Sequence, residues 1–182
     1  MTTTIPYTDL CSLADKHGTD KRPEPKGHGY THYYHSLFGE RRDKVRKVLE
    51  IGIDVGASLR MWEEYFPNAK IYALDADPAR FINKGRVRSF QCDQGNIESI
   101  RGVKFWLDRN FDFIIDDGSH VSGHQVASAL ELVPLLAPGG IYVIEDVPHP
   151  AEVTSQLPFP CEVHEFDIRR DPYSRLVVIH GR

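Results

Sequence analysis

From residue 45 onward, short apolar runs rich in β-branched residues alternate with longer amphipathic or polar stretches. This is the pattern of strands separated by helices in an α/β sheet. Five such runs stand out, at 45–53, 70–75, 87–91, 111–116 and 140–145, and several finish on a carboxylate. Strands buried on both faces read this way, because helices cover a parallel sheet from either side. Helices are expected between them at 58–65, 79–84, 97–109 and 122–136, the last being the clearest.

After Pro148 the pattern changes, with Pro150, Pro158 and Pro160 punctuating a stretch that leads to apolar runs at 161–168 and 175–180. The few residues around Asp171-Pro172 are too short for a helical crossover, so these two strands are expected to form an antiparallel hairpin. The predicted fold is α/β: a mostly parallel sheet with helices on both faces, closed by a C-terminal antiparallel hairpin. Residues 1–44 differ again. There His17, His28, His32, His35, Tyr30, Tyr33 and Tyr34 crowd a polar, glycine-containing segment, with 21–29 as its linker-like part. That composition suggests a flap over a site rather than core, ahead of one main domain at 45–182.

Composition narrows the setting. The chain has 182 residues, 41% hydrophobic and 26% charged, which suits one globular domain. A chain of this length buries about 70% of its unfolded surface and needs no staples. Cys11, Cys92 and Cys161 are odd in number and in no CxxC pair, which argues against a disulfide framework or a structural zinc site and for a reducing cytoplasm. The net charge is −4 and no basic run offers a phosphate backbone a track, so nucleic acid is not an expected partner. The first residues lack the features of an export signal, and no apolar stretch approaches the roughly 20 residues of a membrane span.

The run Glu50-Ile51-Gly52-Ile53-Asp54-Val55-Gly56-Ala57-Ser58-Leu59 follows a strand and opens a helix, where glycines let a ligand approach the backbone closely. Asp54 stands where the dehydrogenase fingerprint needs glycine, and it would repel a pyrophosphate. A ligand carrying positive charge suits it better, and S-adenosylmethionine (SAM) carries a sulfonium and an amino group. A tight turn with no ligand would use Gly52 and Gly56 equally well. Asp75, at the carboxyl end of the second strand, fits a ribose-binding carboxylate or else a helix cap, a role that falls more naturally to Asp77 before Pro78. Asp93 and Gln94, after the third strand, fit an adenine amino group or a plain turn.

The strongest chemical signal is acidic. The fourth strand delivers Asp116-Asp117-Gly118-Ser119-His120 and the fifth delivers Glu145-Asp146, all at the carboxyl edge of the sheet. Adjacent acidic tips repel one another unless a cation sits between them, and Asp117, Glu145 and Asp146 offer hard oxygens suited to magnesium. A neutral His120 could then take a proton from an acidified hydroxyl. Helix capping without metal is the alternative for each acid singly. His124 is read as a packing residue, and His28, His32 and His35 mostly as aromatic lining.

The runs EIGIDVGASLRMW (50–62), FDFIIDDGSHVSGHQ (111–125) and LAPGGIYVIED (136–146) resemble class I SAM-dependent methyltransferases, whose sheet is Rossmann-like. More narrowly, they are similar to metal-dependent sugar O-methyltransferases of macrolide antibiotic biosynthesis and to cephalosporin-methoxylation proteins. HGTDK (17–21) and HGYT (28–31) resemble the cofactor-covering segment of that group. The resemblance implies that Asp117, Glu145 and Asp146 hold magnesium and that His120 deprotonates the acceptor hydroxyl. It also implies that Glu50, Gly52 and Asp75 line the SAM site, where Ser58, Asp93, Gln94 and Asp116 complete the expected cofactor set. The macrolide enzymes carry an additional N-terminal region for assembly and acceptor binding, so the acceptor and the oligomeric state, a homo-oligomer included, transfer least. The expected activity is Mg²⁺-dependent, SAM-dependent O-methylation of a small-molecule hydroxyl, a sugar of a natural product. A catechol-type O-methyltransferase and a SAM-binding module without turnover are the alternatives.

Overall fold

Val48, Leu49, Glu50 and Ile51 are all buried, which only a strand flanked and covered on every side allows. In the computed structural model, which describes residues 7–166 and 172–182, this strand β1 (Lys47–Ile51) lies inside a seven-stranded sheet. The sheet order is β3 (Val87–Gln91), β2 (Lys70–Asp75), β1, β4 (Phe111–Asp116), β5 (Leu136–Ile144), β7 (Arg175–His180) and β6 (Cys161–Glu165). The first five are parallel, and β7 runs antiparallel to both β5 and β6. The predicted hairpin is therefore present, inserted so that its second strand meets the parallel part. The expected end of its first strand at 168, and Asp171 in its turn, lie outside the described residues.

Successive β1 side chains point to opposite faces, so Val48 and Leu49 seed two separate cores. One holds Val48, Trp62 of α3 (Ala57–Tyr65) and Phe113. The other holds Leu49, Ile114, and Val126 and Leu132 of α5 (Ser122–Leu132). Helices on both faces follow from this division.

Several expected helices are shorter. At 79–84 there is a single 3-10 turn, Pro78–Arg80, because Ser89 on β3 bonds the backbone of Ile82 through both its N–H and its carbonyl and pulls the chain toward the strand. The helix expected to reach 109 is α4 (Ile97–Val103), after which Phe105 and Trp106 stand exposed. Pro134 turns the end of the 122–136 helix into the 3-10 turn Val133–Leu135. A short helix, α6 (Pro150–Thr154), opens on Pro150 at a position that needs no N–H donor.

The N-terminal segment departs most from expectation. Helices α1 (Asp9–His17) and α2 (Tyr30–Phe38) bury Leu10, Tyr30, Tyr34 and Phe38 completely in the first core. Tyr34 meets Trp62 edge-on at 5.5 Å, and Phe38 meets Phe113 at 4.6 Å between ring centroids. Residues 21–29 are tied down as well, by His28 N–H donating to Asp20 O (2.7 Å) and Gly29 N–H to Arg22 O (2.9 Å). Among the described residues of this segment, Gly18, Thr19 and Asp20 line a cavity at the strand ends, as a covering segment would. No described helix is long and apolar enough to cross a membrane.

Candidate active site

The carboxyl ends of β1, β2 and β4 enclose a cavity of about 620 Å³. The turn after β1 makes it possible. Gly52 has φ +93°, and a Cβ there would lie 2.1 Å from the carbonyl oxygen of Asp117, so only glycine lets the tips of β1 and β4 come this close. Gly56 (φ +71°) then turns the chain into α3, whose Ser58 lines the cavity. Asp54, at φ 46°, pairs with Arg80 at 2.6 Å on the rim, so the charge that argued against a pyrophosphate is balanced by a cation.

Of the expected cofactor residues, Gly52, Ser58, Asp75, Asp93 and Gln94 line the cavity. The Asp75 carboxylate accepts from the N–H groups of Ile53 and Asp77, both at 2.9 Å, and so fixes two turns. Asp77 caps the 3-10 turn through Ala79 N–H, as expected. Asp93 accepts from Gly95 N–H in a local turn. Gln94 is a strut: its amide donates to both oxygens of Asp116 (2.7 and 2.8 Å), while its own oxygen accepts from Ser119 N–H (2.8 Å). Asp116 and Glu50 are fully buried beneath the cavity and have no place on its wall. Burial pushes each of them up to about 7, against the pull of Lys21 on Glu50 and of the Gln94 and Tyr142 hydrogen bonds on Asp116.

Beside the cavity the acidic tips converge, with a cation already among them. Lys21 is fully buried, and its ammonium donates to Asp117 Oδ2 and to Glu145 Oε2 (2.6 Å) and lies 3.5 Å from Glu50 Oε1. Burial alone would lower its pKa, but Asp117, Glu145 and Glu50 hold it well above the ordinary lysine value. Glu145 Oε1 accepts from Tyr34 OH and Asp146 Oδ1 from Tyr30 OH, both at 2.5 Å. Burial raises the pKa of Glu145 and of Asp146, opposed chiefly by Lys21 for the first and His28 for the second. His28 stacks on Tyr30 and lies 3.8 Å from Asp146.

Asp117, His120 and Asp146 each offer a ligand atom within 4.8 Å of the other two. The Nδ1 of His120 is buried without a hydrogen-bond partner. Both His120 (φ 55°) and Asp146 (φ 51°) occupy the left-handed region, a strain that structures hold where side-chain direction matters. The two carboxylates are hard donors that fit a divalent cation, and the imidazole beside them keeps one nitrogen without a partner, as a base would. The Glu145 oxygens meet Lys21 and Tyr34, yet each keeps a lone pair, so Glu145 remains able to contribute. His124 bonds Ser119 (2.8 Å) on the cavity wall. His32 lies beside Cys11 and His35 beside Tyr65, away from the acids.

Sequence reasoning missed Lys21, Tyr30, Tyr34 and Arg80 as parts of the site. The signal was present for Lys21 in HGTDK and for Tyr30 in HGYT, which bring a buried lysine and a tyrosine hydroxyl to the acidic tips, whereas Tyr34 lies beyond both motifs on α2.

Comparison with known proteins places this geometry. Residues 49–147, over half of the chain and the whole stretch from β1 to the acidic tip of β5, match the family described as "Methyltransferase domain". An 8-demethyl-8-(2-methoxy-alpha-L-rhamnosyl)-tetracenomycin-C 3'-O-methyltransferase of Streptomyces olivaceus is 37% identical over 146 residues, covering 76% of this chain and 37% of the relative. A mycinamicin VI 2''-O-methyltransferase of Micromonospora griseorubida is 38% identical over 152 residues, covering 76% of this chain and 36% of that protein. Among solved structures, the MycE methyltransferase from the mycinamycin biosynthetic pathway, in complex with Mg and SAH, superposes with a TM-score of 0.76 at 28% identity over 98% of this chain and 56% of that one. The chain thus spans little more than a third of the length of these curated relatives. The family match, the strand order and the cavity at the strand ends agree: the chain belongs to the methyltransferase-domain family.

Proposed function

We propose that the protein transfers the methyl group of SAM to a hydroxyl of a small molecule, with magnesium required and a sugar of a natural product as acceptor. The observation that carries this reading is a shared residue. Asp117 lines the cavity and also belongs to the Asp117, His120, Asp146 cluster, so a cofactor site and a cation site abut at one carboxylate.

In this reading Asp75 takes the ribose hydroxyls, Gly52 and Ser58 admit the cofactor to the β1 turn, and Asp93 and Gln94 border its base. Glu50 and Asp116 act from beneath, holding Ser58 (2.9 Å) and Gln94. Gly18, Thr19 and Asp20 of the N-terminal segment cover the cavity. Asp117, Glu145 and Asp146 would hold magnesium, which when bound makes an acceptor hydroxyl more acidic. His120 removes the hydroxyl proton at a ring nitrogen facing the cluster, a contribution of about 10²–10⁴ in rate. Lys21, Tyr34 and Tyr30 hold the acids in orientation, so positioning and charge placement supply much of the rest.

Relatives named for rhamnosyl tetracenomycin and mycinamicin VI support a glycosidic acceptor. Their names support small-molecule chemistry, and the reading proposes a cytoplasmic setting with neither nucleic acid nor membrane as partner. The test is methyl transfer from labelled SAM to a panel of rhamnosides and catechols. Transfer to the glycosides is expected. Transfer to catechols alone would replace the sugar with an aromatic diol, and SAM binding with no transfer to any acceptor would make the chain a binding module.

A further inference from the structure

Lys21 is the residue that the proposed chemistry does not use, and it is the one cation fully buried among the described acids of the site. Its ammonium has three protons, and three carboxylates surround it, one from each of the tips of β1, β4 and β5: Glu50, Asp117 and Glu145. The backbone presets it. Lys21 N–H meets Thr19 Oγ1 at 3.4 Å, and Lys21 O accepts from Thr31 N–H at 3.1 Å, which ties the residue to the start of α2. Tyr34 and Tyr30 engage the remaining sides of Glu145 and Asp146.

Four acids, Glu50, Asp117, Glu145 and Asp146, thus meet at one place, three of them buried and Asp117 facing the cavity. A buried carboxylate without a countercharge is strongly unfavourable, so an apo protein with only acids here would resist folding. Any divalent ion on Asp117 and Asp146, in turn, must sit close to an ammonium that already holds Asp117. We infer that Lys21 is a positioning residue, a built-in cation that fixes Asp117 and Glu145 in place before metal arrives and weakens the cluster's hold on the divalent ion. This rests on the reading of the cluster as a metal site. It gives the N-terminal segment a role beyond covering, since that segment would set the metal affinity of the sheet edge it crosses.

The test titrates Mn²⁺ alone into the full chain by calorimetry, for wild type, Lys21→Met and Lys21→Arg, and follows thermal unfolding of each with chelator and with Mn²⁺. Wild type is expected to bind Mn²⁺. Lys21→Met should bind it at least about tenfold more tightly, a difference of about 1.4 kcal/mol. Its melting temperature should fall in chelator and recover with Mn²⁺ by a larger shift than wild type shows. Lys21→Arg, which keeps the charge, should bind like wild type. Packing damage alone loosens a metal site, so tighter binding is a result that a merely structural lysine does not give. If Lys21→Met is unfolded in chelator, refolding is followed by circular dichroism as Mn²⁺ is added, and recovery of the native signal supports the inference. Equal or weaker affinity in folded Lys21→Met, or a chain that stays unfolded at saturating Mn²⁺, overturns it. A wild type that binds no Mn²⁺ removes the metal reading itself and the inference with it.

Discussion

Gly52→Ala puts a single methyl where the structure has no space for one. The added Cβ would stand 2.1 Å from Asp117 O, about 0.9 Å inside the 3.0 Å that real Cβ atoms keep, and the obstacle is backbone rather than a movable side chain. At φ +93° the alanine also carries the left-handed penalty of about 1–2 kcal/mol. Relief requires the tips of β1 and β4 to part, which strains the bond from Asp117 N–H to Ile51 O (3.0 Å), worth about 1 kcal/mol. A loss of about 2–4 kcal/mol follows, or roughly 5–15 °C in melting temperature for a domain of this size. Because the residue that must move is Asp117, the variant should also lose affinity for S-adenosylhomocysteine and for Mn²⁺ together. Thermal denaturation gives the first effect and calorimetry the other two. A variant that melts within 2 °C of wild type and binds both ligands unchanged would refute the close approach of the two strand tips as the basis of the site.

Asp75→Ala should weaken binding of S-adenosylhomocysteine by more than about tenfold, and should also cost about 1–3 kcal/mol of stability because two backbone N–H groups lose their acceptor; unchanged calorimetric affinity would take Asp75 out of the cofactor site. His120→Ala should slow methyl transfer by about 10²–10⁴ with cofactor and Mn²⁺ affinities nearly unchanged, whereas Asp117→Ala should lower Mn²⁺ affinity along with the rate. Loss of Mn²⁺ binding in His120→Ala would make the imidazole a ligand instead of a base. Glu50 has its pKa raised by burial from 4.5 to about 7, so the folded state holds its proton more tightly than the unfolded one. The stability linked to that proton is fully present below about pH 4.5 and lost as pH rises through 7, up to about 3 kcal/mol. In chelator, Glu50→Gln should therefore lose less stability than wild type between pH 5 and pH 8; urea denaturation curves that shift in parallel for the two proteins would contradict this.

The strands were legible because a strand buried on both faces is mostly apolar, and β1, β2 and β4 are such strands even with Glu50 buried in the first. Acidic residues at their tips were legible for the opposite reason, since charge at the end of an apolar run has no structural use that hydrophobicity explains. What stayed hidden depends on distant partners. Lys21 read as the start of a linker-like stretch and Tyr30 as part of a flap, yet Lys21 pairs with Glu145 124 residues away and Tyr30 with Asp146 116 residues away, so their burial becomes intelligible only once the sheet is assembled. The shortened helix at 79–84 has the same origin, because the Ser89 hydroxyl that interrupts it belongs to the next strand. Composition within a segment cannot report a polar group satisfied from outside it.

The central claim is that a carboxylate cluster next to the cofactor cavity serves metal-dependent methyl transfer. It is tested most directly by measuring transfer of labelled methyl from SAM to a rhamnoside acceptor before chelation, after complete chelation, and after Mg²⁺ is restored, with S-adenosylhomocysteine affinity measured in each state. Transfer is expected to disappear on chelation and to return with Mg²⁺ while cofactor affinity persists throughout, since in the proposed site Asp75 and the β1 turn would hold the cofactor without the ion. Transfer that continues unchanged in the chelated protein would contradict the claim.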